Sequence, residues 1–284
     1  MPTDTALQTS PAQHAPWSAS DMYQHIRWLI DARAVAIVYQ PIRALATGRV
    51  VGYEALSRFG GVDHGPVEEI FACASSLGLG LELELAAAAE ALADLPDIPG
   101  YLAINLSPAT LLDDTALHLL ERAPAKRLVI ELTEHDAVAD YARLRERLSD
   151  LRSRGVRIAA DDIGAGFAGL RHIAELKPDI LKLDRSMVGG VVAGATHRHL
   201  VSAMVAFARD EGSQLVAEGI ETRDELAILG ELGVEMGQGY LLGRPLPLDR
   251  RSDDSSAGSA GKTAKVIRFP PWHSRFTAPL DRRP

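Results

Sequence analysis

Short apolar runs of strand character recur along this chain, and acidic or amide side chains stand at or near their ends: Glu54, Asn105, Glu131, the adjacent Asp161 and Asp162, and Glu218, with Lys182 among them. Burying one carboxylate is expensive, and burying several together is tolerable only when cations neutralise them. A fold that gathers these run ends therefore implies a metal. It also implies an architecture in which many strands finish at one face.

The order of elements supplies such an architecture. A helix is expected from Asp21 to Ala32, then strands at Ala36 to Gln40, stopped by Pro41, and at Arg49 to Ala55. Pro66 and Gly78 bracket a helix, and the alanines after Leu85 favour helix over the strand-like alternation of Leu81, Leu83 and Leu85. Further strands are expected at Leu102 to Leu106, Leu128 to Leu132, Arg157 to Ile163, Ile180 to Asp184 and Gln214 to Gly219, with a short last run at Val234 to Met236. Gly155 and Gly212 stand where left-handed caps would end two of the intervening helices, and Thr222 with Glu225 has capping-box spacing. About eight strands with helices between them predict an α/β fold, a TIM-like (β/α)8 barrel, in which chemistry sits at the carboxyl ends of the strands. An open doubly wound sheet would not collect side chains from so many strands.

Composition sets limits on the rest. Hydrophobic content of 46% with 24% charged residues suits a soluble protein with a sizeable core, and the net charge of -8 disfavours bulk nucleic-acid binding. No apolar run reaches the length of a membrane span, residues 1–20 lack the pattern of a signal peptide, and the single Cys73 fits a reducing compartment, so a cytoplasmic location is expected. The organisation read from this is an N-terminal tail over 1–20, one barrel over 21–249 and a C-terminal tail over 250–284, both tails disordered. That second tail carries eight basic residues against three acidic ones, and its Phe269, Trp272 and Phe276 alternate with arginines as if for an unknown partner.

The residue types narrow the chemistry. Carboxylates and an amide are hard oxygen ligands suited to Mg2+ or Mn2+, whereas zinc would call for a His or Cys set. Adjacent Asp161 and Asp162 would let one residue bridge while the other reaches a second ion. Two cations roughly 3.5–4 Å apart clamp the attacking and leaving oxygens of a phosphoryl centre. Lys182 would be a basic residue pointing into a barrel, which is sustainable only beside carboxylates or an anion. The segment Gly164 to Gly169 matches the GxGxxG of dinucleotide sites, but the two aspartates directly before it would repel a pyrophosphate unless neutralised.

Taken together, the motifs resemble the EAL domain, the cyclic di-GMP phosphodiesterase family. The resemblance spans roughly Val38 to Pro247 and rests on Glu54-Ala55-Leu56 followed by Arg58, Asn105-Leu106-Ser107, Glu131-Leu132-Thr133-Glu134, Asp161-Asp162, Lys182-Leu183-Asp184, Glu218-Gly219-Ile220-Glu221 and Gln238-Gly239-Tyr240, in that order. It implies a first strand antiparallel to the others and hydrolysis of cyclic di-GMP to linear pGpG by two-metal activation of water. It implies Glu54, Asn105, Glu131, Asp161, Asp162 and Glu218 as ligands of two divalent cations, with Glu218 also the general base and Lys182 helping to orient or activate water. Gln40, Leu56, Arg58, Asp184, Glu221, Gln238 and Pro245 become substrate contacts, and Glu134 holds the loop after Asp162, through which relatives pair as homodimers. That loop departs from the family pattern at Ile163, Ala165 and Phe167 to Gly169, where hydroxyl side chains are missing. A receptor that binds the dinucleotide without cutting it, and a proton-abstracting barrel enzyme of the enolase type, are the competing readings.

Overall fold

The apolar runs close into a barrel of eight strands in sequence order: β1 (Val35–Ala44), β2 (Val50–Phe59), β3 (Tyr101–Asn105), β4 (Leu128–Thr133), β5 (Arg157–Ile163), β6 (Ile180–Leu183), β7 (Gln214–Ala217) and β8 (Met236–Gly237). The structure is a computed structural model and describes residues 18–60, 66–133, 138, 140–164 and 169–248. β2 to β8 pair in parallel, while β1 lies antiparallel to both of its neighbours, β2 and β8. The fold is thus the expected TIM-like barrel with its first strand reversed.

Helices α1 (Ala19–Asp31), α2 (Val67–Ser76), α3 (Gly80–Asp94), α4 (Pro108–Leu111), α5 (Asp114–Leu120), α6 (Tyr141–Ser153), α7 (Gly169–Leu176), α8 (Arg185–Ala193), α9 (Ala195–Glu211) and α10 (Arg223–Glu231) connect and surround the strands. Their ends follow local chemistry. Ser18 accepts from the Asp21 amide to start α1, two residues before the start read from the sequence. Thr222 and Glu225 form the reciprocal capping box of α10. Gly212 (φ 73°) closes α9 in the left-handed conformation, and Gly155 (φ 101°) turns the chain just after α6.

Two strands run well past their expected ends, while β7 and β8 stop at Ala217 and Gly237 instead of Gly219 and Met236. β1 continues through Pro41 to Ala44, and β2 extends to Phe59. A proline lacks an amide donor, so it interrupts a strand only where that donor has a partner to lose. Tyr39 exchanges both backbone hydrogen bonds with Leu246 on the outer side of β1, and β8 pairs only from Arg43 onward. By the alternation of an antiparallel ladder, the missing Pro41 amide faces the gap between these two contacts. Nothing is lost there.

The core has an outer shell between sheet and helices and an inner one inside the barrel. The inner shell is a layer that includes Ile42, Tyr101, Val129, Ile180, Val216 and Met236. Gly52 makes room in it, because a Cβ there would lie 2.6 Å from the Tyr101 ring. Among the described residues no helix is long and apolar enough to cross a membrane. The residues assigned to the two tails, apart from 18–20, lie outside the described residues.

Candidate active site

A strand repeats its facing every two residues, so a side chain two positions beyond an interior residue also points into the barrel. Above Val129, Ala159 and Ile180 this interval places Glu131, Asp161 and Lys182; above Val216 and Met236 it places Glu218 and Gln238. On β2 and β3 the same step leads from Gly52 to Glu54 and from Ala103 to Asn105, and on reversed β1 it leads back from Ile42 to Gln40. One polar side chain from each strand line therefore forms a ring directly over the apolar layer. The residues singled out at the run ends, Asp162 apart, converge because each obeys the same two-residue step.

Asp162 breaks the step. Its neighbour Asp161 points inward, so in a regular strand Asp162 would face the helices. Pairing of β5 with β6 slips between Ala160 and Ile163, and Asp162 takes φ 56°. This bulge re-aims the side chain toward the mouth, and aspartate tolerates the left-handed region better than most residues. Asp162 donates its backbone amide to Asp161 Oδ1 at 3.0 Å.

At the centre stands the Lys182 ammonium, 1% exposed. Its Nζ lies 2.8 Å from Glu218 Oε1, 2.9 Å from Glu131 Oε2, 3.1 Å from Asp161 Oδ1 and 3.6 Å from Glu54 Oε2. Burial acts to lower the lysine's pKa, yet the surrounding carboxylates hold it well above the ordinary value. Burial, with crowding by like charge, pushes Glu131 and Glu218 well above the usual carboxylate range and Asp161 above it. Glu54 goes the other way: burial would raise it, but Lys182 and hydrogen bonds from Gln238 and Asn105 outweigh that and lower it.

Amides orient the Glu54 carboxylate. Asn105 Nδ2 donates to Oε1 at 3.3 Å, and Gln238 Nε2 donates to Oε2. The same Gln238 nitrogen donates to Gln40 Oε1 at 3.3 Å, and Gln40 Nε2 donates to the Gly243 carbonyl at 3.1 Å. Gln238 Oε1 is left buried without a hydrogen-bond partner among the described residues.

The donor set fits divalent cations. Glu54, Glu131 and Asp161 bring carboxylate oxygens within 4.8 Å of one another, and so do Asp161, Asp162 and Glu218, with Asp161 common to both groups. Five carboxylates and one ammonium leave a formal charge of minus four, which two divalent ions would cancel. All the donors are oxygens, the ligand type of magnesium, calcium and manganese.

A cleft of about 1230 Å³ opens above the ring. Leu56, Arg58, Asp184, Glu221 and Gln238 line it, whereas Pro245 does not, and Glu134 lies outside the described residues. Arg58 Nη1 donates to the Ser57 carbonyl at 2.7 Å. Asp184 caps α8 through the Ser186 amide, and Glu221 pairs with Arg185 at 2.9 Å. The sequence reading missed Arg185 and Tyr240, both on the cleft wall. Arg185 directly follows Asp184, and Tyr240 ends the Gln238-Gly239-Tyr240 motif, which was the available signal.

A family model described as the EAL domain matches residues 24–245. The cyclic di-GMP phosphodiesterase NbdA of Pseudomonas aeruginosa is 33% identical over 242 residues, covering 80% of this chain and 31% of NbdA. The solved PaMucR phosphodiesterase in complex with c-di-GMP superposes with a TM-score of 0.70 at 29% identity, over 80% of this chain and 97% of that one. BlrP1 of Klebsiella pneumoniae, in a manganese/cy-diGMP complex, gives a TM-score of 0.66 at 31% identity, over 75% of this chain and 56% of that one. The chain spans about a third of the length of curated relatives it matches (32%, 31%, 33% and 31%).

Proposed function

The chain belongs to the EAL domain family, and from that premise we propose that it hydrolyses cyclic di-GMP to linear pGpG with two divalent cations, Mg2+ or Mn2+. The observation that carries this reading is the pair of carboxylate groups sharing Asp161 beneath an open cleft. Bound there, the cations would supply Lewis-acid stabilisation of the phosphoryl oxygens and an acidified water. Glu54, Asn105, Glu131 and Asp161 would hold one of them, and Asp161, Asp162 and Glu218 the other.

The chain's own residues do the remaining work in this proposal. Glu218 takes the proton of the attacking water and passes it to the departing ribose 3′ oxygen. Lys182 fixes Glu218 and Glu131 from below and keeps the ring from carrying the full repulsion of five carboxylates. Arg58, on the cleft wall, meets a phosphate. The water oxygen bonds to phosphorus as the bond to one ribose 3′ oxygen breaks, that oxygen leaves with the proton Glu218 took, and the ring opens.

Incubation of purified protein with cyclic di-GMP and Mn2+ or Mg2+, followed by mass spectrometry, should show pGpG, and Glu54→Ala and Glu218→Gln should abolish it. Tight binding of cyclic di-GMP with no product under either metal would replace the enzyme with a receptor.

A further inference from the structure

The cleft does not end at the carboxylate ring. It continues sideways into an apolar groove to which α2 lends Val67, Phe71 and Ala72 and α3 lends Ala87, Ala88 and Ala91. Positions 87, 88 and 91 share one face of a helix, and alanines there leave space that larger side chains would fill. Glu68, one turn before Ala72, stands exposed on the rim. An apolar groove thus opens into an acidic mouth.

The chain leaves the fold beside this groove. Leu246 pairs antiparallel with Tyr39, and the same register sets Leu248, the last described residue, opposite Ile37. Ile37 is part of the cleft wall. Leu248 packs on the core cluster that contains Tyr39, Ala88 and Ala91. Because β1 is the reversed strand, a segment antiparallel to it heads toward the mouth of the barrel.

The sequence beyond Leu248 suits that destination. From Arg250 onward eight basic residues face three acidic ones, opposite in sign to the carboxylate ring. Phe269, Trp272 and Phe276 alternate with Arg268 and Arg275, and Pro270 and Pro271 fix φ between the first two rings, which lowers the entropy lost on docking. Residues 249–267, with Ser, Gly and Ala throughout 255–261, form the tether. A Gly- and Ser-rich chain of that length spans about 22–26 Å, enough to reach a groove that begins next to its anchor.

We propose that the segment Arg268 to Phe276 docks in this groove, its aromatic rings against the alanine row of α3 and its arginines toward Glu68 and the acidic mouth, so that the tail occludes the cleft. The contact itself is independent of the reaction; only its effect on KM rests on the cyclic di-GMP reading given above. Tethering supplies an effective concentration on the order of 1 mM, so a segment that binds at roughly 0.1 mM raises the apparent KM about tenfold.

The test labels the full chain with bimane, a fluorophore quenched by contact with indole, at Ser75→Cys in a Cys73→Ala background; Ser75 is exposed and lines the groove. With the native tail, emission should be low. Trp272→Phe should raise it severalfold, and so should Arg268→Glu combined with Arg275→Glu, or added salt. In unlabelled protein with Mn2+, the double arginine variant should lower KM for cyclic di-GMP about tenfold and leave kcat unchanged. Equal emission from all three labelled proteins overturns the docking. Relief by Trp272→Phe alone overturns the role given to the arginines. Quenching that grows with protein concentration assigns the groove to the tail of a second copy and overturns the intramolecular contact. Absence of pGpG from every variant overturns the phosphodiesterase reading alone, because the fluorescence does not depend on turnover.

Discussion

Replacing Lys182 with methionine keeps the length of the side chain and removes its charge. In the absence of metal this leaves Glu218, Glu131, Asp161 and Glu54 facing one another without the ammonium that now sits 2.8–3.6 Å from each. Removing one partner of a buried ion pair costs about 3–5 kcal/mol because the other charge stays uncompensated. For a barrel of this size that is a fall in Tm of about 6–20 °C, at roughly 2–4 °C per kcal/mol. The loss should depend on pH. Glu131, Glu218 and Asp161 already sit above the usual carboxylate range, and loss of the ammonium lifts them further. The folded state then holds protons that the unfolded state has released, so stability falls as pH rises from the ordinary carboxylate range through the raised values. Acidification should shrink the gap to wild type. Saturating Mn2+ should shrink it too, since the ions supply the missing positive charge. Thermal melts of Lys182→Met and wild type in EDTA and in Mn2+, at several pH values, measure all of this. Identical melting in EDTA at neutral pH would refute the view that the lysine neutralises a buried carboxylate ring.

Asp162→Gly keeps the left-handed backbone of the bulge and deletes a donor found in only one of the two carboxylate groups, so isothermal titration with Mn2+ should change from two sites toward one. Because the raised carboxyls of Glu131, Asp161 and Glu218 must give up protons to bind metal, apparent Mn2+ affinity should strengthen as pH rises above the ordinary carboxylate range, with proton release detectable in weakly buffered solution. Gly52→Ala places a Cβ 2.6 Å from the Tyr101 ring, an overpacking cost of about 1–3 kcal/mol that should lower the Tm; an unchanged melt would mean that the ring moves freely.

The barrel was legible because its signals are local: apolar runs, glycine and proline punctuation, and a capping box that forms as spaced. The run-end acids were legible as a set because a barrel brings strand ends together, and their presence in one ring follows from the two-residue step above the interior layer. Three features were not legible. Pro41 reads as a strand terminator in isolation, and only the placement of Leu246 and β8 shows that its missing donor has no partner to lose. The turn of Asp162 depends on a one-residue slip against β6, which no pattern within β5 encodes. Reversal of β1 came from the family resemblance, since alternation of apolar and polar residues carries no strand direction.

Lys182 explains how such a ring can exist before any metal arrives. Five carboxylates around an empty centre would raise one another's pKa until several took protons, and the fold would then depend on acid or on metal to form. A fixed ammonium at the centre removes part of that repulsion and leaves a formal charge of minus four once every carboxyl is ionised. That remainder is large enough to draw two divalent cations and equal to what they carry. A third metal in place of the lysine would overshoot neutrality and tie the whole barrel to metal supply, whereas arginine would bring a planar group too broad for oxygens spaced 2.8–3.6 Å from a single nitrogen. Lys182→Arg should therefore keep the charge and still lose the geometry: the apoprotein destabilised by overpacking, and Mn2+ binding weakened although formal charge is unchanged. Normal metal affinity in that variant would show that charge alone, without the compact ammonium, sets the site.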